Sequence, residues 1–413
     1  MELHTQLIKL YWDDAMKNEI LLFLTRPICY ESNHYFVYAM QEAFEKLGHK
    51  VRVMDLEDIS CREKNLEGII GQSFAAMIDF NSILPKLKMD DGTYFLDQVD
   101  APFYDYIVDH PLYHHPVLEQ KLHDFHVICL DAYHKKYIED YYPWIRSVHQ
   151  MPLGGMMAGG GIPFEKRRYP LVFLATHTSS EQVMERISQI SGGLQKEVSA
   201  VLSLLLEDRS RTQEEALAAL CGQLGAEPSK AQFREMMNLH FLADMYLRAR
   251  EREAVVRTIL TEGYPLYIFG HGWNAFQKKE PHAKSLIPMP AVSFPVSLEV
   301  MTNANICLNI NPRFHGGAHD RIFSAMANGA AVLTDASEYL WKQFGHREHL
   351  MVYDMKQITG GTVSKNWEKQ GEDICALLEE MFQKPDITKE LARRGKEEAW
   401  KKHLWIHRLK PGR

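Results

Sequence analysis

A glycine pair and an arginine stand between an apolar run and a helix-like segment in NINPRFHGGAHDRIFSAMANG, residues 309–329. The run ICLNI has the length and character of a buried strand, and RIFSAMA has helical periodicity and is closed by a glycine. The free N–H groups and the positive dipole end of a helix attract an anion, and glycines let a ligand approach the backbone. An arginine adds a planar donor fork that suits phosphate oxygens. The segment predicts an anion site formed by Gly316, Gly317, Arg321 and the N-terminus of the helix.

The same residues also fit a purely structural role. Asp320 would then cap the helix, and Arg321 would pair with an acidic side chain on the surface. The local sequence favours the two interpretations equally.

A second glycine-containing turn, IFGHGW, follows another apolar run. Gly270 and Gly272 open a tight turn, and His271 and Trp273 project beyond it. Rings in this position can stack on a nucleobase or a sugar. A glycine turn beside a tryptophan of the core is an equally good interpretation.

Acidic and histidine side chains follow the predicted strands of the first half. Ligands of parallel sheets bind beyond the carboxyl ends of the strands, so Asp109 and His110 are candidates for proton transfer, with Asp79 and Glu31 as alternatives. The segment DHPLYHHPVLEQKLHDFH also holds five histidines, but no HxxxH pair there has a third ligand at a suitable spacing. We therefore interpret them as separate imidazoles.

The elements that must position these residues alternate between strand and helix. In the first half, a helical pattern at 34–48 lies between apolar runs, which predicts a βαβ unit and a parallel sheet of five or six strands. The apolar runs of the first half are 19–25, 49–58, 74–82, 101–111, 125–132 and 147–155.

A change of composition at GGMMAGGGIP predicts a domain boundary, with domains at 1–160 and 161–400 and a tail at 401–413. The second domain begins with the run YPLVFLATHTS, and a block rich in Ala, Leu, Glu and Arg, at about 181–263, predicts a helical insertion. The α/β alternation then returns at 264–273, 297–312, 319–335 and 349–354.

Length and composition limit the class of protein. A chain of 413 residues predicts two cores, and 46% hydrophobic with 24% charged residues is typical of a globular protein. No run approaches the roughly 20 apolar residues of a membrane span, and the first residues lack the pattern of a secretory signal, so we expect a cytoplasmic protein. The net charge of −7 argues against a nucleic-acid partner. Six scattered cysteines without a CxxC pair are expected to be reduced thiols.

Residues 291–340, AVSFPVSLEVMTNANICLNINPRFHGGAHDRIFSAMANGAAVLTDASEYL, resemble the C-terminal domain of spore-maturation CgeB-like proteins. These belong to the glycosyltransferase group 1 superfamily of GT-B enzymes. The phrases IVDHPLYHHP, YIEDYYPWI and MPLGG are similar to the N-terminal domain of the same proteins. The order of these motifs covers most of the chain and leaves out the helical insertion and the extreme tails.

The resemblance implies an α/β protein of GT-B type, in which two Rossmann-like, doubly wound domains face a cleft. A UDP-, GDP- or dTDP-sugar donor would bind the C-terminal domain, and an unidentified acceptor (a glycan, a protein or a small molecule) would bind largely the N-terminal one. Carried over by position, the residues that would surround the diphosphate are Gly316, Gly317, His319, Asp320 and Arg321. Gly270 to Trp273 would lie near the base. Many members carry a ribose-binding glutamate at the place of Ser324 and another acid at the place of Gly316, so ribose recognition and the retaining or inverting outcome stay open.

Sugar transfer builds negative charge on the leaving diphosphate, which the helix N-terminus and Arg321 would stabilise without a metal ion. Asp109 or His110 would take the acceptor proton in an inverting reaction, or hold the acceptor in a retaining one. Two other classes fit the sequence. One is a non-catalytic GT-B-like binding or assembly protein, and the other is an epimerase that converts the donor without an acceptor.

Overall fold

The computed structural model describes residues 19–26, 31–365 and 371–410. The predicted loop around Cys29 and the first 18 residues, on which the secretory-signal expectation rests, lie outside this part of the chain. The chain divides into two compact units, Met1–Gly154 with His403–Arg413, and Gly155–Lys402. The division falls a few residues before the boundary predicted at residue 160, and the end of the chain belongs to the first unit.

The first unit contains a parallel sheet of six strands, in agreement with the predicted five or six. Three of its strands are buried along their whole length and the first strand along all but its first residue, as expected of strands covered on both faces. The sheet order is β2-β1-β3-β4-β5-β6. All the strands are parallel, and the order in which the chain adds them reverses between β1 and β3, which is the switch point of the sheet. The strands are β1 Glu19–Leu24, β2 Lys50–Asp55, β3 Ala76–Phe80, β4 Phe103–Ile107, β5 Phe125–Cys129 and β6 Ser147–Gln150.

Helices connect these strands as crossovers. The first helix buries Phe36, Val37, Met40 and Phe44 at helical spacing and ends before Gly48, whose φ of 93° suits only glycine. The helices of this region are α1 Ser32–Lys46, α2 Ile59–Glu67, α3 His115–Leu118 and α4 Ala132–Tyr141.

The second unit contains another parallel sheet of six strands, in the order β12-β11-β10-β7-β8-β9. Its edge strand β9 was not predicted, because LIPM is short and contains Pro288, which an edge strand tolerates. The order in which the chain adds strands reverses between the neighbours β7 and β10, with β8 and β9 on one side and β11 and β12 on the other. The strands are β7 Tyr169–Leu174, β8 Leu266–Phe269, β9 Leu286–Met289, β10 Ala304–Leu308, β11 Ala331–Asp335 and β12 Met351–Tyr353.

Five helices lie between β7 and β8, where the sequence predicts the helical block. Two of them begin with a reciprocal cap, Thr212 with Glu215 and Ser229 with Gln232. The helices of the second unit are α5 Ser180–Ser188, α6 Gly192–Glu207, α7 Gln213–Gln223, α8 Lys230–Leu239, α9 Phe241–Thr261, α10 Trp273–Lys279, α11 Phe294–Thr302, α12 Asp320–Ala327, α13 Glu338–Gln343, α14 Met355–Thr359, α15 Ile374–Gln383 and α16 Pro385–Lys402.

The last helix, α17 Trp405–Leu409, packs on α1 of the first unit. Trp405 is buried there, with its ring 6.2 Å from the rings of Phe36, Phe80 and Tyr106. A side chain at Gly154 would lie 2.5 Å from the backbone nitrogen of Trp405. The glycine at the unit boundary is therefore explained by this close approach.

Candidate functional site

The carboxyl ends of β7 and β10 form the switch point of the second sheet. These strands are neighbours and pair in parallel, while the chain leaves them toward opposite edges of the sheet. Loops that leave such a point in opposite directions open a crevice in which α/β proteins bind ligands. The loop after β10 carries the glycine pair and leads into α12, so the predicted anion segment lies at the switch point.

The first turn of α12 is capped by His319. The Nδ1 atom of His319 accepts a hydrogen bond from the backbone N–H of Arg321 at 3.2 Å. Burial lowers the pKa of His319 and the charge of Arg321 acts in the same direction, whereas Asp320, whose Oδ1 lies 2.7 Å from the same Nδ1, opposes them. Asp320, which the structural interpretation made the cap, is instead the first residue of the helix.

Arg321 reaches from α12 to both strands of the switch point. Its Nη1 donates to the side-chain oxygen of Asn309, directly after β10, at 2.8 Å. Its guanidinium lies 5.4 Å from the ring centre of Phe173 in β7. The side chain is only partly buried. The arginine is therefore fixed between the ends of the two strands at the switch point.

Amide side chains make the start of the loop after β10 rigid. The Asn309 amide donates to Thr334 Oγ1 at 2.9 Å, and the Asn311 backbone N–H donates to Asp335 Oδ1 at 2.8 Å. Burial raises the pKa of Asp335 to about 7, although Arg209 opposes this. The sequence reading missed this network, whose signal was the pair of asparagines directly after an apolar strand.

The glycine pair is tied to the start of α13. The carbonyl oxygen of Gly317 accepts a hydrogen bond from Ser337 Oγ at 2.7 Å, and that of His315 accepts one from the Glu338 N–H at 2.8 Å. Both glycines are buried. The loop is thus anchored through its carbonyl groups beside the first turn of α12.

The turn at Gly270–Trp273 packs against the loop after β7. Gly270 has a φ of 157°, and a side chain there would lie 2.1 Å from the carbonyl oxygen of Ala175. Trp273 is fully buried, and its Nε1 donates to the same oxygen at 2.6 Å. A buried ring offers no face to a nucleobase, so the geometry is that of a glycine turn beside a core tryptophan. His271 is exposed at the tip of the turn.

Ser324 also has a structural contact in the second unit. It is 1% exposed, and its Oγ accepts a hydrogen bond from the backbone N–H of Met156 at 3.2 Å. This hydroxyl holds the segment that follows the unit boundary. Because Ser324 is buried, its side chain is not exposed for direct contact with a nucleotide-sugar donor.

The candidate proton-transfer residues of the first unit follow β4. His110 Nδ1 accepts a hydrogen bond from the Leu112 N–H at 3.1 Å and so caps the turn that follows. Asp109 is partly exposed. Burial lowers the pKa of His114 to about 4, and the charge of Asp109 opposes this shift. His110 is also partly exposed, so both residues stay candidates for proton transfer.

Asp79, one of the alternatives, is buried in β3. It is 2% exposed, accepts a hydrogen bond from Thr25 Oγ1 at 2.8 Å, and lies opposite Asp105 of β4. Burial raises the pKa of Asp79 to about 7 and that of Asp105 well above its ordinary value. Both carboxyls, Asp79 and Asp105, are therefore buried within the first sheet.

In the part of the chain that the structure describes, no helix is long and apolar enough to cross a membrane. Over the same residues, no group of three or more His, Cys, Asp or Glu side chains is arranged to hold a metal ion.

Comparisons with known proteins agree with this architecture. Residues 250–411 match the family model described as glycosyl transferase-like. The whole chain is similar in structure to the sucrose-phosphate synthase of Thermosynechococcus elongatus, with a TM-score of 0.52, 10% identity, and coverage of 95% of this chain and 96% of the other. At this identity the likeness concerns the fold, which is that of the GT-B glycosyltransferases.

Two further solved structures have lower scores. An alpha-glucosyltransferase in complex with UDP and a 13-mer DNA has a TM-score of 0.49 at 10% identity, with 94% of this chain and 96% of the other covered. Anabaena HepE in complex with UDP and glucose has 0.44 at 8%, with 95% and 97% covered. No curated protein matches the sequence.

Proposed function

From the glycosyl transferase-like match over residues 250–411, we propose that this protein transfers a sugar from a nucleoside-diphosphate sugar to an acceptor. The observation that carries the proposal is the position of Arg321. It lies at the start of α12, fixed between Asn309 and Phe173 at the switch point of the sheet. A partly exposed, pre-oriented guanidinium in a ligand crevice is suited to a diphosphate.

The donor site of this proposal consists of the α12 start and the loop before it. Gly316, Gly317, His319, Asp320 and Arg321 surround the diphosphate, and the N–H groups at the helix start add partial positive charge. When the bond between the anomeric carbon and the diphosphate breaks, these fixed dipoles and Arg321 stabilise the charge that develops on the leaving group. Because they supply that stabilisation, the proposal requires no metal ion.

The turn after β8 supplies the other part of the donor site. Gly270, Gly272 and the exposed His271 are proposed to lie near the base. Trp273 and Ser324 act here only by packing, since both are buried. The base itself, uracil, guanine or thymine, is a matter for experiment.

The first unit is proposed to bind the acceptor. Asp109, or His110 beside it, takes the acceptor proton if the reaction inverts the anomeric carbon, and orients the acceptor if the reaction retains it. We further propose that the chain is a CgeB-like member of the group 1 superfamily and that it works in the cytoplasm without nucleic acid as a partner.

A panel of ligands tests the proposal. Thermal unfolding is followed with UDP, GDP and dTDP, because a ligand at 100 times its dissociation constant stabilises the folded state by about 2.7 kcal/mol. The sugar derivatives of the stabilising nucleotide are then incubated with acceptor mixtures, and sugar transfer is measured. Binding without turnover in any mixture would indicate a non-catalytic protein, and conversion of the donor without an acceptor would indicate an epimerase.

A further inference from the structure

Glu251 of α9 is bound to the loop after β10. Its Oε1 accepts hydrogen bonds from Arg209, in the segment between α6 and α7, and from Arg313 Nη1 at 2.7 Å. All three side chains are less than one-tenth exposed. Removing one member of a buried ion group leaves charge without compensation, so this contact holds its members firmly in place.

Arg313 needs such a contact because its backbone is strained. It adopts a φ of 58°, in the left-handed region that favours glycine and is unfavourable for other residues. Its Nη2 donates to the carbonyl oxygens of Arg209 and Arg211 at 3.1 and 3.2 Å. The loop after β10 therefore takes its shape from side-chain contacts with the helical region.

The next two residues of α9 bind the loop after β7. Arg252 Nη1 donates to the carbonyl oxygen of Thr176 at 2.6 Å. Glu253 accepts hydrogen bonds from His177 Nε2 at 2.8 Å and from Ser180 Oγ at 2.7 Å. Although burial raises the pKa of Glu253, these hydrogen bonds lower it to about 2 and keep the side chain a carboxylate.

The helix geometry explains how neighbouring residues hold separate loops. Successive residues of an α-helix are about 100° apart around its axis, so the side chains of Glu251 and Glu253 leave it on nearly opposite sides. The two loops that these residues bind are those of the switch point. The charged triplet 251–253 therefore fixes both walls of the crevice from a single rigid element.

We propose that Glu251, Arg252 and Glu253 are positioning residues that hold the two switch-point loops in the shape that binds a nucleoside diphosphate. This inference rests on the proposed donor site and gives the helical region a role in it. Arg209 extends the same support to β11, since its Nη2 lies 3.5 Å from Asp335 Oδ2.

Substitutions at Glu251 test the proposal through ligand affinity and loop dynamics. Calorimetry with the best binder among UDP, GDP and dTDP is combined with hydrogen exchange of the amides at 309–319 and 175–180. We expect Glu251→Ala to weaken binding at least about 10-fold and to speed exchange in the first of these loops. Glu251→Gln keeps an acceptor for one arginine, so it should recover part of the lost affinity and remain measurable if the alanine variant fails to fold.

Asp244→Asn is the matched control. Asp244 also lies in α9 and is buried, and it forms an ion pair with Arg248 of the same helix. It should leave affinity and loop exchange near the wild-type values. Wild-type behaviour of both Glu251 variants, equal losses in Asp244→Asn, or no recovery in Glu251→Gln would each overturn the positioning role. If the wild type bound no nucleotide, the proposed function would fail, while faster loop exchange in Glu251→Gln would still support the positioning role.

Discussion

The carboxyl edges of the two sheets have the same topology and different chemistry. Both sheets have six parallel strands with one switch point. At the edge of the second sheet, arginines are paired with amides and carboxylates, as Arg321 is with Asn309 and Arg313 with Glu251. At the edge of the first sheet the conspicuous groups are carboxyls. They are Asp79, Asp105, Asp109 and Asp131.

This difference shows that topology fixes where a ligand binds, whereas side chains decide which ligand it is. Arginines held in place by buried partners suit an anion such as a diphosphate. Carboxyls and histidines suit hydroxyl groups and proton transfer. If the comparison is right, substitutions at the two edges should change different measurable quantities.

The largest expected effect is that of Asp109→Asn on turnover. Loss of a general base typically lowers the rate 10²- to 10⁴-fold, so kcat should fall by about that factor while nucleotide affinity stays the same. Donor turnover and calorimetry on the same preparation measure both. Asp97→Asn is the control, because Asp97 lies at the opposite edge of the same sheet and accepts a hydrogen bond from the His123 N–H. A wild-type kcat in Asp109→Asn would remove the proposed base.

Next in size is the effect of Arg321→Ala on nucleotide binding. A hydrogen bond to a charged group contributes about 1.5–3 kcal/mol, so the dissociation constant should rise roughly 10- to 100-fold. The dissociation constant of Arg321→Lys should lie between those of the wild type and Arg321→Ala, since lysine keeps the charge and loses the planar fork. Arg393→Ala, which removes an exposed arginine of α16, should change nothing. An unchanged dissociation constant in Arg321→Ala would show that the phosphate site lies elsewhere.

The sequence was sufficient for the architecture because buried parallel strands are continuous apolar runs with helices between them. It also predicted the strand, glycine loop and helix N-terminus around Gly316 to Arg321, because these are contiguous in the chain. The strand order of the structure then puts this segment at the switch point. It did not reveal that Trp273 is buried, since its ring packs against Phe173 of β7 and His177 of the loop after that strand.

The contacts of Glu251 were also beyond the sequence. Its partners Arg209 and Arg313 are 42 and 62 residues away along the chain, so no local pattern connects them. A run of charged residues within a helical block does not by itself predict such contacts. Only the fold brings it between the two loops.

The smallest expected effect is on the pH dependence of stability, and it arises from the buried pair Asp79 and Asp105 at the edge of the first sheet. Burial raises the pKa of Asp79 to about 7, with Arg26 opposing, so the folded state retains a proton that the unfolded state releases near its ordinary pKa of 3.8. Stability from this group is complete below pH 4 and is lost as the pH rises through 7. Asp79→Asn mimics the protonated acid and should reduce the fall in melting temperature between pH 5 and pH 8 by several degrees.

Asp90→Asn, at an exposed carboxyl of the same unit, should leave that fall unchanged. Nucleotide affinity should also be the same in Asp79→Asn, because the substitution lies at the carboxyl-rich edge. An identical pH dependence in wild type and Asp79→Asn would mean that Asp79 is ionised in the folded protein despite its burial. The difference between the two edges would then rest on the arginines of the second sheet alone, because Asp79 at the first edge would be an ionised carboxylate of ordinary pKa.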